Sequence, residues 1–317
     1  MTRSGAYSHL ASGLAARVAL APVRTIVIDC VRLTKPRIIS LLLFTALCAL
    51  FAGARAAVPW PVLLAVAGGG YLASGGANAL NCAADGDLDE LMSRTRNRPV
   101  PQGRVSPTGA AVFGLLLNAL AGWWLWTEVG PAAAVLALAG TAWYVLVYTL
   151  WLKRRSTQNI VIGGAAGCFP ALVGWAAGTG RLDATAVALA AVVFFWTPPH
   201  FWSLAVLLKD DYQRAGVPML PAVAGARETA AKILRYAVAT LVVSLLPVLW
   251  GGLGVPFAVV AAAMGGRFVQ LSAAYRAHPG TKPAARLFHF SLLYLAVIFL
   301  AAAIDRIINV RLGYGLW

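Results

Sequence analysis

Long apolar stretches alternate with short polar ones along the chain, and nine of them stand out, at about residues 38–55, 60–80, 108–126, 131–151, 159–177, 183–207, 232–251, 255–273 and 287–305. At about 1.5 Å per residue, each is long enough to cross a hydrocarbon core of about 30 Å. Backbone groups in lipid have to be paired within the protein, and the stretches are longer than the roughly ten-residue alternating strands of a barrel, so they predict helices. The expected fold is all-α, a polytopic membrane helix bundle of about nine transmembrane helices. Residues 37–305 form its membrane domain, 1–36 an N-terminal tail and 306–317 a short C-terminal tail. The glycine runs Gly68-Gly69-Gly70, Gly75-Gly76 and Gly163-Gly164 predict close approach of helix backbones.

Composition agrees: the 317 residues are 60% hydrophobic and 12% charged. Basic residues are distributed unevenly. Of 26 lysines and arginines, 21 fall on the side that holds the N-terminus and the even-numbered loops, including Arg3, Arg17, Lys35, Arg37, Arg94, Arg98 and Lys153. The opposite side keeps Arg55, Arg181, Arg306 and Arg311, and Arg267 lies inside the eighth stretch. Because lysine and arginine accumulate on the cytoplasmic side, the N-terminus is expected in the cytoplasm and, after nine spans, the C-terminus outside. A bacterial inner membrane is the expected location, since no signal-peptide cleavage pattern stands out. The net charge of +15 reflects this bias and attraction to membrane lipid rather than nucleic acid as a partner. Cys30, Cys48, Cys82 and Cys168 show no metal or disulfide spacing.

Acidic residues carry the functional signal. Only eleven exist, and Asp85, Asp87, Asp89, Glu90, Asp210 and Asp211 sit in two loops on the same expected side. Asn81, Asp85 and Asp89 recur every four residues, so a second helix continuing past the interface would carry them on one face. Oxygen donors stacked in this way suit Mg²⁺, which binds through a few carboxylates plus substrate phosphates. Asp87 falls off that face. Arg94 and Arg98 can fork onto phosphate oxygens. Carboxylates and arginines at a membrane interface, with no evident nucleophile, describe a site for a diphosphate with an apolar tail.

The run Asn81-xxx-Asp85-xxx-Asp89 resembles the first aspartate-rich motif of the UbiA superfamily of intramembrane prenyltransferases. Extended through Asp87, Met92, Arg94, Thr95, Asn97, Arg98 and Pro99, it is similar to the protoheme IX farnesyltransferases (heme O synthases) within that superfamily. Four further stretches share the likeness: "LTKPRIISLLLFT" (33–45), "LKRRSTQNIVIGGAAG" (152–167), "TPPHFWSLAVLLKDDYQRAGVPMLP" (197–221) and "LFHFSLLYLAVIF" (287–299). The second motif departs from the DxxxD common in the superfamily, because Leu207 stands four residues before Asp211 and the acidic pair is Asp210-Asp211. Ala171 also stands where a second proline is expected after Pro170.

The resemblance implies a UbiA-type fold and transfer of the farnesyl group of farnesyl diphosphate to the 2-vinyl group of heme b, a substrate rather than a cofactor. It implies Mg²⁺, with Mn²⁺ as the alternative ion, held by Asn81, Asp85 and Asp89 with Asp211 opposite. Lys35, Arg37, Arg94, Arg98 and Lys153 are the candidate diphosphate clamps. His200, after Pro198-Pro199 where a helix break would expose it, is the first candidate for contact with heme, with Tyr212 and His289 beside it. Phe195, Trp196, Trp202 and Tyr212 are candidates to stabilise an allylic cation through their ring faces. Hand-over of the product to heme A synthase or to terminal oxidase assembly is the implied partnership. Two rival expectations remain: a UbiA-type enzyme with an aromatic or chlorin acceptor, and a cation-binding transporter, for which midplane acids and inverted halves would be expected.

Overall fold

The computed structural model describes residues 23–54 and 57–311. Arg3, Arg17 and Arg55, counted above among the charges that set topology, lie outside the described residues, as do 312–317. The helices are α1 (Val23–Thr34), α2 (Pro36–Gly53), α3 (Trp60–Ala84), α4 (Gly86–Leu91), α5 (Pro107–Glu128), α6 (Pro131–Leu152) and α7 (Asn159–Thr179). They continue as α8 (Ala184–Leu207), α9 (Lys209–Arg214), α10 (Leu220–Val223), α11 (Gly225–Leu249), α12 (Val255–Ala277) and α13 (Thr281–Arg311).

All nine expected stretches are helices, and no strand occurs among the described residues. Eight of the nine are long and apolar enough to cross a membrane. The ninth, α3, has the length at 25 residues, but five glycines and two asparagines dilute its apolar character. Those residues serve packing and the site. Part of the expected N-terminal tail is itself helical, as α1, and the last helix runs six residues past the expected boundary at 305.

Helix starts follow local chemistry. Proline opens α2, α5 and α6, where its missing N–H costs no hydrogen bond. Ser106 accepts from the Gly109 amide at 3.0 Å to cap α5, and Asp183 accepts from the Thr185 and Ala186 amides at 3.0 Å to cap α8. Asp305, reaching over from α13, accepts from Gly254 N at 2.7 Å and so caps α12.

Small residues set the packing. A Cβ on Gly76 would lie 2.6 Å from the Gly114 carbonyl oxygen, and one on Gly114 would lie 2.7 Å from that of Gly76, so α3 and α5 touch through backbone. α7 approaches α2 at Gly174 in the same way. α13 packs on both α2 and α8, and Arg306 Nε donates to Ala52 O at 3.3 Å.

The helix break expected at Pro198-Pro199 does not occur. α8 runs unbroken from Ala184 to Leu207, and His200 is buried within it. The helix packs against α11 and α13 around the two prolines, and Thr197 Oγ1 donates to the Val193 carbonyl at 2.8 Å one turn before them.

Candidate active site

The loops after α3, α6 and α8 meet the α1–α2 junction at one end of the bundle. The second helix does not continue through the aspartates as one rod, since α3 ends at Ala84 and α4 restarts at Gly86. Asp85 sits at the joint. The one-turn spacing survives the break, because Asp85 N donates to Asn81 O at 2.9 Å and Asp89 N to Asp85 O at 2.8 Å.

Asn81 and Asp85 are brought together. Asn81 Nδ2 donates to Asp85 Oδ2 at 2.7 Å and to Thr149 Oγ1 at 3.1 Å, while its Oδ1 accepts from Lys35 Nζ at 2.7 Å. Lys153 Nζ donates to the same Oδ2 of Asp85. The other oxygen, Oδ1, is enclosed with no hydrogen-bond partner, and Arg154 Nη2 lies 3.8 Å from it. Asp85 is fully buried.

The remaining acids are engaged elsewhere. Asp89 is buried and receives both oxygens' bonds from Arg98 Nη1, at 2.9 and 2.7 Å. Asp87 is exposed and takes a two-pronged contact from Arg154 at 2.6 and 2.7 Å, which holds its carboxyl below the usual range. Asp211 accepts from Ser93 Oγ at 2.9 Å and from Arg214, tying the second acidic loop to the first. Burial opposes its charge, but the Ser93 hydrogen bonds and the Arg214 guanidinium outweigh it and keep the carboxyl low. Asp210 and Glu90 are exposed. Among the described residues, no three His, Cys, Asp or Glu side chains gather at one metal-ligating point. Asn81 and Asp85 form one centre, and Asp89 and Asp211 each sit with their own arginine.

Lys35 owes its position to strain. It is the one non-glycine residue with positive φ (55°) among the described residues, and it turns the chain between α1 and α2 so that Nζ reaches Asn81. Burial, with Arg98 and Lys153 nearby, pulls its ammonium down to about 8. Arg37 and Arg94 are exposed at the same end.

The last turns of α6, Trp143–Leu152, are wound as a π-helix, in which Lys153 N donates to Tyr148 O and Thr149 Oγ1 to Tyr144 O. This widening carries Thr149 to Asn81 and Lys153 to Asp85, a functional use typical of such segments. It also aligns Tyr144 and Tyr148, whose rings stack at 5.5 Å. Tyr212 lies nearby, its phenol raised by burial and its charge neighbours including Arg94, Lys153 and Asp211. Sequence reasoning missed Tyr144, Tyr148, Thr149, Arg154 and Ser93. The i, i+4 spacing of the two tyrosines, just before the basic run 153–155, was the available signal.

His200 and three of the expected aromatics lie among α8, α11 and α13. His200 stacks between Trp196 (4.3 Å) and Phe288 (4.9 Å), with Nδ1 2.7 Å from Ser291 Oγ. Ser291 gives its single proton to Phe288 O at 2.6 Å, so His200 Nδ1 is the donor to Ser291 and Nε2 keeps its lone pair. Trp196 Nε1 donates to Ser291 O, and Phe195 and Trp202 face Tyr236. His289 is exposed on α13 and bonds Ala285 O at 2.7 Å.

The donors around Asp85 suit Mg²⁺: they are carboxylate and amide oxygens, and one buried carboxylate oxygen lacks a partner. Comparison with known proteins identifies the family. A relative from Thermus thermophilus called protoheme IX farnesyltransferase is 50% identical over 281 residues, 88% of this chain, of which the chain spans 46%, about half its length. Relatives of the same name from Deinococcus radiodurans (46% identical, 88% of this chain, 93% of the relative) and Mycobacterium avium (48%, 87% and 90%) are matched nearly throughout. The fold of a digeranylgeranylglyceryl phosphate synthase superposes with a TM-score of 0.74 at 16% identity, covering 89% of this chain and 98% of that one. A UbiA homolog from Archaeoglobus fulgidus bound to GPP and Mg²⁺ superposes at 0.60 and 15% identity, over 86% and 99% of the two chains. The model of the UbiA prenyltransferase family matches residues 42–302, which takes in the bundle and both acidic loops, and the chain therefore belongs to that family.

Proposed function

We propose that this chain transfers the farnesyl group of farnesyl diphosphate to the 2-vinyl group of heme b, releasing diphosphate and making heme O. The observation that carries the transferase reading is Asp85. It is a buried carboxylate bonded to Asn81 and Lys153, with one free oxygen, at the end of a membrane bundle ringed by Lys35, Arg94, Arg98 and Arg154. The acceptor is taken from the relatives, which carry the name protoheme IX farnesyltransferase.

Asn81 and Asp85 would hold Mg²⁺ (or Mn²⁺), joined by Asp89 and by Asp211 of the second loop once Arg98 and Arg214 pass from those carboxylates to the diphosphate; when bound, the ion neutralises charge on the leaving group. The chain's own cations do the rest. Lys35, Arg37, Arg94, Arg98 and Lys153 clamp the phosphate oxygens, and Arg98 and Lys153 reach them by exchanging a carboxylate for a phosphate partner. As the bond from C1 to oxygen breaks, positive charge spreads over the allylic group, and the faces of Tyr144, Tyr148 and Tyr212 stabilise it by about 0.5 to 2 kcal/mol each. The vinyl terminus attacks C1 and leaves a cation beside the porphyrin ring. Water adds there and loses a proton, giving the hydroxyethylfarnesyl group. No enzyme nucleophile takes part. His200, with Nδ1 tied to Ser291, presents the tautomer whose Nε2 can ligate heme iron.

The protein acts in a bacterial inner membrane with its N-terminus and the acidic loops in the cytoplasm, where farnesyl diphosphate and Mg²⁺ are supplied. The product is suited to hand-over to heme A synthase or to oxidase assembly. The test is extraction of pigment from membranes with and without the protein, supplied with farnesyl diphosphate. Heme O appears only with the protein present. Unchanged heme B together with a prenylated aromatic acid would replace heme with another acceptor.

A further inference from the structure

The outer face of α12 carries cations that no acid answers. A groove of about 500 Å³ between α12 and α13 is lined by Arg267, Arg286 and His289 together with Leu271, Phe290 and Leu293. Arg267 lies ten residues before the end of α12 at Ala277, about 15 Å inward from the carboxylate end of the bundle. It is exposed, and its guanidinium donates to Gln270 Oε1 of its own helix at 2.6 Å. The two acids of α11 to α13 are committed elsewhere: Glu228 pairs with Lys232, and Asp305 caps α12 at the far end. Neither Arg267 nor Arg286 takes part in an ion pair among the described residues. His289 also faces outward, with Nδ1 donating to Ala285 O.

An exposed arginine at that depth meets acyl chains, where a bare cation is costly and is answered by a phosphate drawn in from the headgroup layer. We propose that the α12–α13 groove is a specific site for an anionic phospholipid. Its phosphate sits between Arg267 and Arg286, and its chains run along Leu271, Phe290 and Leu293. Apolar walls and converging basic groups match an amphiphile of that charge. A soluble anion has no path to Arg267 through lipid, and a zwitterionic lipid carries a cation that the two arginines repel. A second groove, on the other side of α12, holds Arg235 and Arg276 nearer the carboxylate end and supplies the control.

The purified protein is placed in vesicles doped with spin-labelled phosphatidylglycerol or phosphatidylcholine, and the motionally restricted fraction of each label is measured. Wild type restricts phosphatidylglycerol preferentially, and Arg267→Gln and Arg286→Gln each weaken that preference about fivefold. Arg267→Lys keeps most of it. Should Arg267→Gln not fold, Arg286→Gln alone must show the loss. An unchanged preference in Arg286→Gln, or a loss confined to Arg235→Gln with Arg276→Gln, overturns the proposal. Displacement of the labelled lipid by stoichiometric heme would also overturn it, by making the groove a porphyrin site. Farnesyl transfer is not part of the readout, so the result stands apart from the identity of the acceptor.

Discussion

Lys153 and Asp85 form a buried pair in which the lysine holds one carboxylate oxygen and leaves the other enclosed without a hydrogen bond. A buried acceptor left unsatisfied costs about 1 to 3 kcal/mol, which a structural ion pair would have no reason to retain. In the proposed reaction the free oxygen would have a use, as a place for a divalent cation.

Asp85→Asn is therefore expected to lower turnover by at least about 100-fold, the scale seen when one charge-stabilising group is removed from an active site. Asp89→Asn is expected to do the same, and chelation of Mg²⁺ to abolish transfer by the unaltered protein. The measurement is conversion of farnesyl diphosphate in detergent with and without chelator. Full activity in excess chelator would remove the metal from the site.

Lys35 predicts a pH dependence with opposite signs for binding and stability. Its folded ammonium titrates near 8, below its ordinary value, because of burial. Diphosphate affinity should fall as pH rises through about 8, when the clamp loses its charge. The unfolded chain holds that proton to higher pH than the folded one, so stability should rise across the window from about 8 to about 10.4. Lys35→Arg is expected to move the loss of affinity to higher pH, and isothermal titration with inorganic diphosphate between pH 7 and 10 reads it directly.

Much of this was legible in the sequence. The nine apolar stretches became nine helices because length and apolarity decide helices in lipid, whatever the details of propensity. Asn81 and Asp85 were legible as partners because a four-residue period survives even the break at Asp85. The partners of Asp89 and Asp211 were not, because Arg98 and Ser93 reach them across loops, where no period fixes direction. Likewise, Pro198-Pro199 reads locally as a helix break, yet α8 stays whole, packed against neighbouring helices. Local patterns recorded the elements; tertiary packing placed the arginines and His200.

Gly174 separates packing from chemistry. A Cβ there would lie 1.9 Å from the carbonyl oxygen of Ala46, a backbone atom that cannot swing aside, whereas one on Gly266 would meet open space. Gly174→Ala should cost about 1 to 3 kcal/mol, the usual cost of overpacking, and Gly266→Ala almost nothing. Thermal unfolding of the two variants in the same detergent makes the comparison.

His200 tests the acceptor. If its Nε2 meets heme iron, His200→Ala shifts the heme absorption band and weakens heme binding while farnesyl diphosphate affinity stays within about twofold, as expected for a residue acting on one substrate only. A superposable heme titration would leave His200 as a packing residue between Trp196 and Phe288.

The orientation of the bundle ties these predictions together. Contacts from Ser93 to Asp211 and from Lys153 to Asp85 place both acidic loops at one end, and the bias of basic residues predicts that this end faces the cytoplasm. Gly180 occupies a left-handed turn (φ 73°) where another residue would be strained, so the probe for the opposite end belongs at the exposed neighbour Arg181. In a background lacking the four native cysteines, Arg96→Cys and Gln213→Cys, both at exposed positions, should resist an impermeant thiol reagent in intact cells and react once the membrane is opened. Arg181→Cys should react from outside. Labelling of position 96 or 213 in intact cells would put the acidic end outside, away from cytoplasmic farnesyl diphosphate, and the proposed reaction could not run there.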